Sequence, residues 1–186
     1  ELTGNLKIGL ISMEKTELKK RIIQEAKELE KEVIEYRRYL HMHPETAFEE
    51  ENTAVFIETE LHKLGYSTQR TAGTGVIALL KSKTKGKTVA LRADTDALNI
   101  NEENDVPYCS TIPGKMHACG HDAHTATLLT AAKIIKKYEN QLTGTLKILF
   151  QPAEEGGAGG KKVVEDGHFD DVDAVFGLHV WQGLDS

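Results

Sequence analysis

The sequence of 186 residues has little of what marks several classes of protein. Two cysteines are too few for the disulfide framework of a small secreted domain, so we expect a reducing, cytoplasmic compartment. No apolar run approaches the roughly 20 residues that a membrane-spanning helix needs. The formal net charge is −6 and no dense Lys/Arg patch with aromatics occurs, so we expect neither a nucleic-acid partner nor a membrane partner.

The first twelve residues, ELTGNLKIGLIS, lack the basic segment and the long apolar core of a signal peptide. We expect residues 1–12 to be an expression-derived or loose arm, and residues 13–186 to form the structured part. Hydrophobic residues make up 39% of the chain and charged residues 28%. This balance indicates one globular domain that can bury a core, and it excludes a disordered chain.

Helical and strand patterns alternate along the chain. Apolar residues recur at helical spacing in residues 14–40, in residues 48–64 and in residues 122–138, and a short helix is predicted at residues 159–167. The predicted strands are Val76–Leu80, Val89–Arg92, Leu146–Phe150 and Ala174–Leu178, with the last apolar pattern running over residues 172–181. Such alternation predicts an α/β fold with a parallel or mixed sheet. Sites in these sheets lie at the carboxyl ends of strands. The residues that fall there are Asp94, Asp96, Glu154, Glu155 and His179.

Two segments are rich in groups that bind metal. In KMHACGHDAHT, residues 115–125, Cys119 and His121 can converge on one ion if the chain turns before the next helix begins. In QPAEEGGAGG, adjacent side chains diverge, so one glutamate can bind metal while its neighbour takes a proton from the attacking water. A solvated acidic pair is the ordinary alternative, but the position after a buried strand favours a site. The pattern suits Zn, Mn, Ni or Co.

The other polar residues are less informative. Asp94 ends an apolar strand and can orient a ligating histidine, although a turn or helix cap is an equally open interpretation. His41 and His43 precede a proline at a helix end and are interpreted as structural or surface residues. Cys109 and His168 have no partner pattern and are interpreted in the same way.

Six motifs in order resemble one known family. They are RRYLHMHPETAFEEENTAVFIETELHKLGY, TGVIALL, LRADTDALNI, GKMHACGHDAHT, LFQPAEEGGAGG and VFGLHVW. Together they are similar to the metal-dependent amidohydrolase branch of the aminoacylase/carboxypeptidase superfamily, which includes N-acyl-amino-acid amidohydrolases, hippurate hydrolases and auxin-conjugate hydrolases. The resemblance implies a hydrolase with two divalent metal ions that cleaves the amide of a small N-acyl amino acid. The metal ligands it implies are Cys119, His121, Glu155 and His179.

The same resemblance implies the remaining catalytic roles. Glu154 would be the general base, and Asp94 would match an aspartate that orients a ligand in related peptidases. Cys119 would stand where those peptidases have a metal-bridging aspartate. Arg92 occupies the place of one of their ligating histidines, so His121 would have to supply that nitrogen. Asn99 stands in DALNI where the family often has proline, which should matter little to the chemistry.

The family architecture also sets expectations about the extent of the chain. Members have a catalytic domain of the zinc-exopeptidase type, interrupted by a smaller lid domain through which they form homodimers. The sequence ends at Ser186, about where the lid would begin. We therefore expect residues 13–186 to be the N-terminal part of the catalytic domain, with an incomplete mixed sheet flanked by helices and no activity in isolation.

Three alternatives from other classes remain open. A thiol hydrolase would use Cys119 as nucleophile and a nearby histidine as base, but it leaves the glutamate pair and His179 without a role. A His-Asp phosphohydrolase is suggested by GHD, yet those folds are all-helical. A non-catalytic truncated module is the third. Loss of activity with a chelator and its return with metal separates the metal enzyme from the thiol enzyme.

Overall fold

The computed structural model of the chain describes residues 15–181. The expected arm at residues 1–12 lies outside that range. The helices are α1 (Lys15–Glu28), α2 (Glu30–Met42), α3 (Glu51–Lys63), α4 (His121–Lys137) and α5 (Gly159–Glu165), with a short 3-10 helix at Glu139–Gln141. The strands are β1 (Ser67–Thr71), β2 (Gly75–Lys81), β3 (Thr88–Asp94), β4 (Thr145–Gln151) and β5 (Ala174–Gly177). None of the helices in this range is both long and apolar enough to cross a bilayer.

The five strands form one mixed sheet in the order β1-β2-β4-β3-β5. The β1–β2 and β2–β4 pairs are antiparallel, whereas β3 runs parallel to both β4 and β5. All four predicted strands lie in this sheet, so the predicted α/β class with helices around a mixed sheet is confirmed.

The alternation of side chains along the central strands builds a core on each face of the sheet. Ile148 and Phe150 of β4 point to one face, where they pack with Ile57 of α3 and with residues of α4. Leu149, between them, points to the other face and packs with Val163 of α5. Burying each such side chain stabilises the fold by about 1.5–3 kcal/mol.

The order of the strands places a crevice beside β3 and β4. From β3 the chain crosses through α4 to β4, and from β4 it returns through α5 to β5 on the far side of β3. The two connections therefore leave in opposite directions and cover opposite faces of the sheet. Such a reversal opens a crevice at the carboxyl ends of the strands, where ligands bind in α/β proteins.

Three elements differ from the sequence prediction. The helix predicted over residues 14–40 is two helices separated at Leu29, which has φ −91° and ψ 3°. Strand β1 was not predicted, because its short, polar sequence STQRT is a weak strand pattern at the edge of the sheet. The last strand ends at Gly177 and not at residue 181. Three residues later, the backbone N–H of Val180 donates to His124 Nε2 at 2.9 Å.

Candidate metal centre

The side chain of His121 lies at the middle of a cluster of potential metal ligands. It is fully buried at the first position of α4. Its Nε2 atom lies 3.7 Å from Asp94 Oδ2, 3.9 Å from Glu155 Oε1 and 4.0 Å from Glu154 Oε2. Among residues 15–181, neither ring nitrogen of His121 has a hydrogen-bond partner of good geometry.

Three groups of three potential ligands share His121 in the part of the chain that the structure describes. Cys119, His121 and His179 form the first, His121, Glu154 and Glu155 the second, and Asp94, His121 and His124 the third. Within each group, one ligand atom per residue lies within 4.8 Å of the others. The structure therefore brings together all four residues predicted as metal ligands and the predicted base.

This donor set fits a divalent transition metal. A thiol, imidazole nitrogens and a carboxylate are the ligands that Zn²⁺ and related ions take in proteins. A buried imidazole nitrogen without a hydrogen bond is costly unless something else satisfies it. A cation between His121 Nε2 and the two glutamates would satisfy it, and it would also balance the carboxylates around it.

Gly120 allows the two ends of the CGH segment to face the same centre. It has a φ of 84°, a conformation that favours glycine, and it directly precedes α4. A Cβ atom on Gly120 would lie 2.4 Å from Val180 Cγ2. Glycine therefore lets the segment that follows β5, with His179 on it, lie directly against the start of α4.

Glu154 and Glu155 differ in exposure. The side chain of Glu154 is 41% exposed and that of Glu155 is 28% exposed. Glu154 therefore faces the open side of the crevice more than its neighbour does. This difference favours Glu155 for binding an ion and Glu154 for meeting a water or a substrate.

The hydrogen-bond partner of Asp94 is His124, which the sequence analysis did not single out. Asp94 Oδ1 accepts from His124 Nδ1 at 2.6 Å, while Asp94 Oδ2 accepts from Arg92 at 2.6 Å. Asp94 was predicted to orient a ligating histidine, but its contact with His121 is the longer one, at 3.7 Å. Burial alone would raise the pKa of Asp94, yet the bond from His124 and the charges of His121 and Arg92 hold it at about 2.

His124 connects Asp94 to the segment that carries His179. Because Asp94 accepts from Nδ1, His124 Nε2 is free to accept from the N–H of Val180, at 2.9 Å. The rings of His124 and His179 lie 4.6 Å apart. The signal that could have found His124 is its spacing: it lies three residues after His121 and so shares a helix face with it.

The buried carboxylate of Asp96 contacts both the glutamate pair and His121. Its Oδ1 accepts from the backbone N–H of Glu154 and its Oδ2 from that of Glu155, both at 2.9 Å. Asp96 Oδ1 also lies 3.3 Å from His121 Nδ1. Burial would raise the pKa of Asp96, but the contact with His121 and the two N–H groups outweigh it and lower the pKa.

A second buried polar network lies beside the cluster. His41 is buried and places Nδ1 2.7 Å from Asp122 Oδ2 and Nε2 3.0 Å from Glu102 Oε1. Its neighbour in the motif, His43, is exposed. Burial lowers the pKa of His117 to about 4, and both ring nitrogens of His117 lack a hydrogen bond within the described chain. Nothing in the sequence patterns linked these residues.

The Cys119 thiol lies 3.5 Å from His179 Nε2. This contact supplies the histidine that a thiol nucleophile needs, although it comes from a distant segment and not from the CGH spacing. Burial, and then the neighbouring Glu155 carboxylate, raise the pKa of Cys119 to about 12. A raised thiol pKa disfavours the thiolate near neutral pH, so the environment opposes a metal-free thiol mechanism.

Comparison with known proteins identifies a family. The family model for "Peptidase family M20/M25/M40" matches residues 90–186. An N-acetyl-L-cysteine deacetylase of Bacillus subtilis is 51% identical over 152 residues, which are 81% of this chain and 36% of that protein. An N-acyl-L-amino acid amidohydrolase of Geobacillus stearothermophilus is 45% identical over 175 residues, which are 93% of this chain and 46% of that protein.

A solved structure has the same fold. The YXEP protein of Bacillus subtilis, described as a dinuclear metal binding peptidase from the M20 family, superposes with a TM-score of 0.81 at 41% identity. The superposition covers 85% of this chain and 45% of that one. The chain thus spans between about a third and a half of the length of these relatives.

Proposed function

The chain belongs to peptidase family M20/M25/M40, and on this premise we propose that the full-length protein is a divalent-metal-dependent hydrolase that cleaves the amide bond of small N-acyl amino acids. The observation that carries the proposal is the buried His121 Nε2 atom, which has no hydrogen bond among the described residues and is ringed by thiol, imidazole and carboxylate donors. The names of the two curated relatives, a deacetylase and an amidohydrolase, support this substrate class.

We assign the metal ligands to Cys119, His121, Glu155 and His179. Each of these residues belongs to a donor group that shares His121, which supports placing them in one metal centre. A dinuclear metal binding peptidase among the structural relatives supports a count of two ions. Whether the ions are Zn, Mn, Ni or Co is set by affinity and supply, because the donor set suits all four.

When bound, such ions act as Lewis acids on the scissile carbonyl and lower the pKa of an attacking water. Glu154 then serves as the general base. Its carboxylate is the more exposed of the pair and takes a proton from the attacking water. The water oxygen bonds to the acyl carbon, the C–N bond breaks, and the leaving nitrogen receives the proton, giving a carboxylic acid and a free amino acid.

The thiol mechanism is the second candidate, because Cys119 does contact His179. Burial and the neighbouring carboxylates argue against it, since they raise the thiol pKa, which a nucleophile needs lowered. The carboxylates would suit a cation instead. The two mechanisms also predict opposite responses to removal of metal.

The test is metal depletion and reconstitution of the full-length protein. Elemental analysis should find about two divalent ions per chain, in keeping with a two-metal site. A chelator should abolish hydrolysis of a panel of N-acetyl and N-benzoyl amino acids, and Zn²⁺, Mn²⁺, Ni²⁺ or Co²⁺ should restore it. Activity that survives chelation but disappears after alkylation of Cys119 would replace this proposal with the thiol mechanism.

A further inference from the structure

We propose that Asp96 is a positioning residue that sets the place of Glu154 and Glu155 relative to His121. The inference rests on the proposed function, because it concerns the same cluster. Asp96 is neither one of the metal ligands nor the general base assigned above, and its buried side chain is not among the grouped donors.

The contacts of Asp96 join two separate elements. One carboxylate oxygen accepts from the N–H of Glu154 and the other from the N–H of Glu155, while His121 Nδ1 lies 3.3 Å from the first oxygen. The glutamates follow β4 and His121 begins α4, so they reach the crevice from different parts of the chain. One short side chain therefore spans the gap between them.

The chemistry of these contacts requires a carboxylate. Both backbone partners are N–H donors, and an amide N–H cannot reverse its role. An ionised aspartate accepts at both oxygens. Asparagine of the same size accepts at one atom only, and its NH₂ group would face the second N–H. That leaves a buried donor unpaired and pushes the glutamate loop away from His121.

Glu50, which precedes α3, offers a matched contrast because it contacts the same loop. It is fully buried, and its Oε1 accepts from the N–H of Ala153, the residue just before the pair. Its other oxygen, however, accepts from the hydroxyl of Thr74, and a hydroxyl can either donate or accept. Glu50→Gln therefore keeps both hydrogen bonds by turning the Thr74 hydroxyl around, whereas Asp96→Asn must lose one.

The loop of residues 153–155 needs such support because its backbone is strained at Ala153. Ala153 has a φ of 51°, a conformation that costs an alanine energy, and the carboxylates of Glu50 and Asp96 hold three consecutive N–H groups of residues 153–155. Of the two carboxylates, Asp96 is the one that also faces His121. It is therefore the group that relates the loop to the rest of the cluster.

The experiment compares Asp96→Asn with Glu50→Gln in the full-length, metal-free protein. Hydrogen exchange by mass spectrometry reports the loop itself, and titration with Zn²⁺ and with Co²⁺ reports the cluster. We expect Asp96→Asn to speed exchange at residues 153–156 about tenfold or more, and to weaken Zn²⁺ and Co²⁺ binding by about 10–100-fold. Glu50→Gln should change both by less than about threefold.

Each outcome decides the inference. Unchanged exchange in Asp96→Asn, or faster exchange with unchanged metal affinity, overturns it, and so do equal effects of the two variants. If Asp96→Asn does not fold, Asp96→Ser replaces it, because the serine hydroxyl keeps one acceptor and presents no fixed donor to the second N–H. A wild-type protein that binds neither ion refutes the proposed function, while the exchange measurement still decides whether Asp96 holds the loop.

Discussion

Glu154→Gln and Glu155→Gln should impair the proposed enzyme in two different ways. The side chains are adjacent, similar in size and both about 4 Å from His121 Nε2, at 4.0 Å and 3.9 Å. They differ in exposure, because the side chain of Glu154 is 41% exposed and that of Glu155 is 28% exposed. They also differ in their neighbours: after burial, Glu155 is the strongest cause of the raised pKa of the Cys119 thiol. We therefore expect Glu154→Gln to impair proton transfer and Glu155→Gln to impair metal binding.

The expected magnitudes follow from these roles. Glu154→Gln removes a general base, which is typically worth about 10²–10⁴-fold in kcat, or about 3–5 kcal/mol in the barrier. KM should change little, because the lost interaction acts mainly in the transition state. Glu155→Gln removes a charged ligand, so its effect on metal affinity should exceed the roughly 10–100-fold that is typical when a partner behind a ligand is lost.

Metal content by mass spectrometry, measured beside kcat and KM for each variant, separates the two roles. Glu154→Gln should retain its metal and stay slow at any metal concentration. Glu155→Gln should lose metal and regain part of its activity when metal is in excess. Metal loss in Glu154→Gln with retention in Glu155→Gln would reverse the roles, and two variants with normal kcat would refute the hydrolytic mechanism.

Three further predictions concern protons and packing. Burial and Glu155 raise the pKa of Cys119 to about 12, so uptake of Zn²⁺ by the metal-free protein should release about one proton from this thiol. Calorimetry in buffers of different ionisation enthalpy measures the release, and Cys119→Asp should abolish it. Phe150→Ala should lower the free energy of unfolding, measured with urea, by about 3–5 kcal/mol, because Phe150 is fully buried in the central strand β4. Val55→Ala, at an exposed position of α3, should change the free energy of unfolding by less than about 0.5 kcal/mol. The hydrogen bond to Asp122 raises the pKa of His41. The free energy of unfolding of the wild type should therefore exceed that of His41→Gln by its full amount below about pH 6.5, and this difference should disappear as the pH rises through the raised pKa. A difference that grows with pH would contradict this assignment.

Much of the fold could be read from local patterns. The continuous apolar runs that predict β2 and β4 are strong because their side chains are buried on both faces of the sheet, as Ile77 and Ile148 show by packing in different cores. Helix α4 was predicted to within one residue at each end, since its apolar face is continuous. Strand β1 gave no such signal, because an edge strand with polar residues is stabilised by its pairing with β2 and not by its own sequence.

The candidate site divides in the same way. Cys119, His121, Glu154, Glu155 and His179 could be chosen from the sequence, because their side-chain chemistry is that of metal ligands and bases and because they follow apolar strands or precede a helix. Their roles remain predictions that the metal and variant measurements test. Chemical type is a property of each residue by itself, so it is visible without a fold.

The partners of those residues depended on the tertiary structure. Asp94 and His124 lie thirty residues apart along the chain and meet only because β3 and α4 pack together. Asp96 reaches the N–H groups of residues 154 and 155 only because β3 and β4 are parallel neighbours whose carboxyl ends lie side by side. A hydrogen bond requires two atoms within about 3 Å, and such proximity between distant segments is set by strand order and helix packing, not by the local pattern of residues.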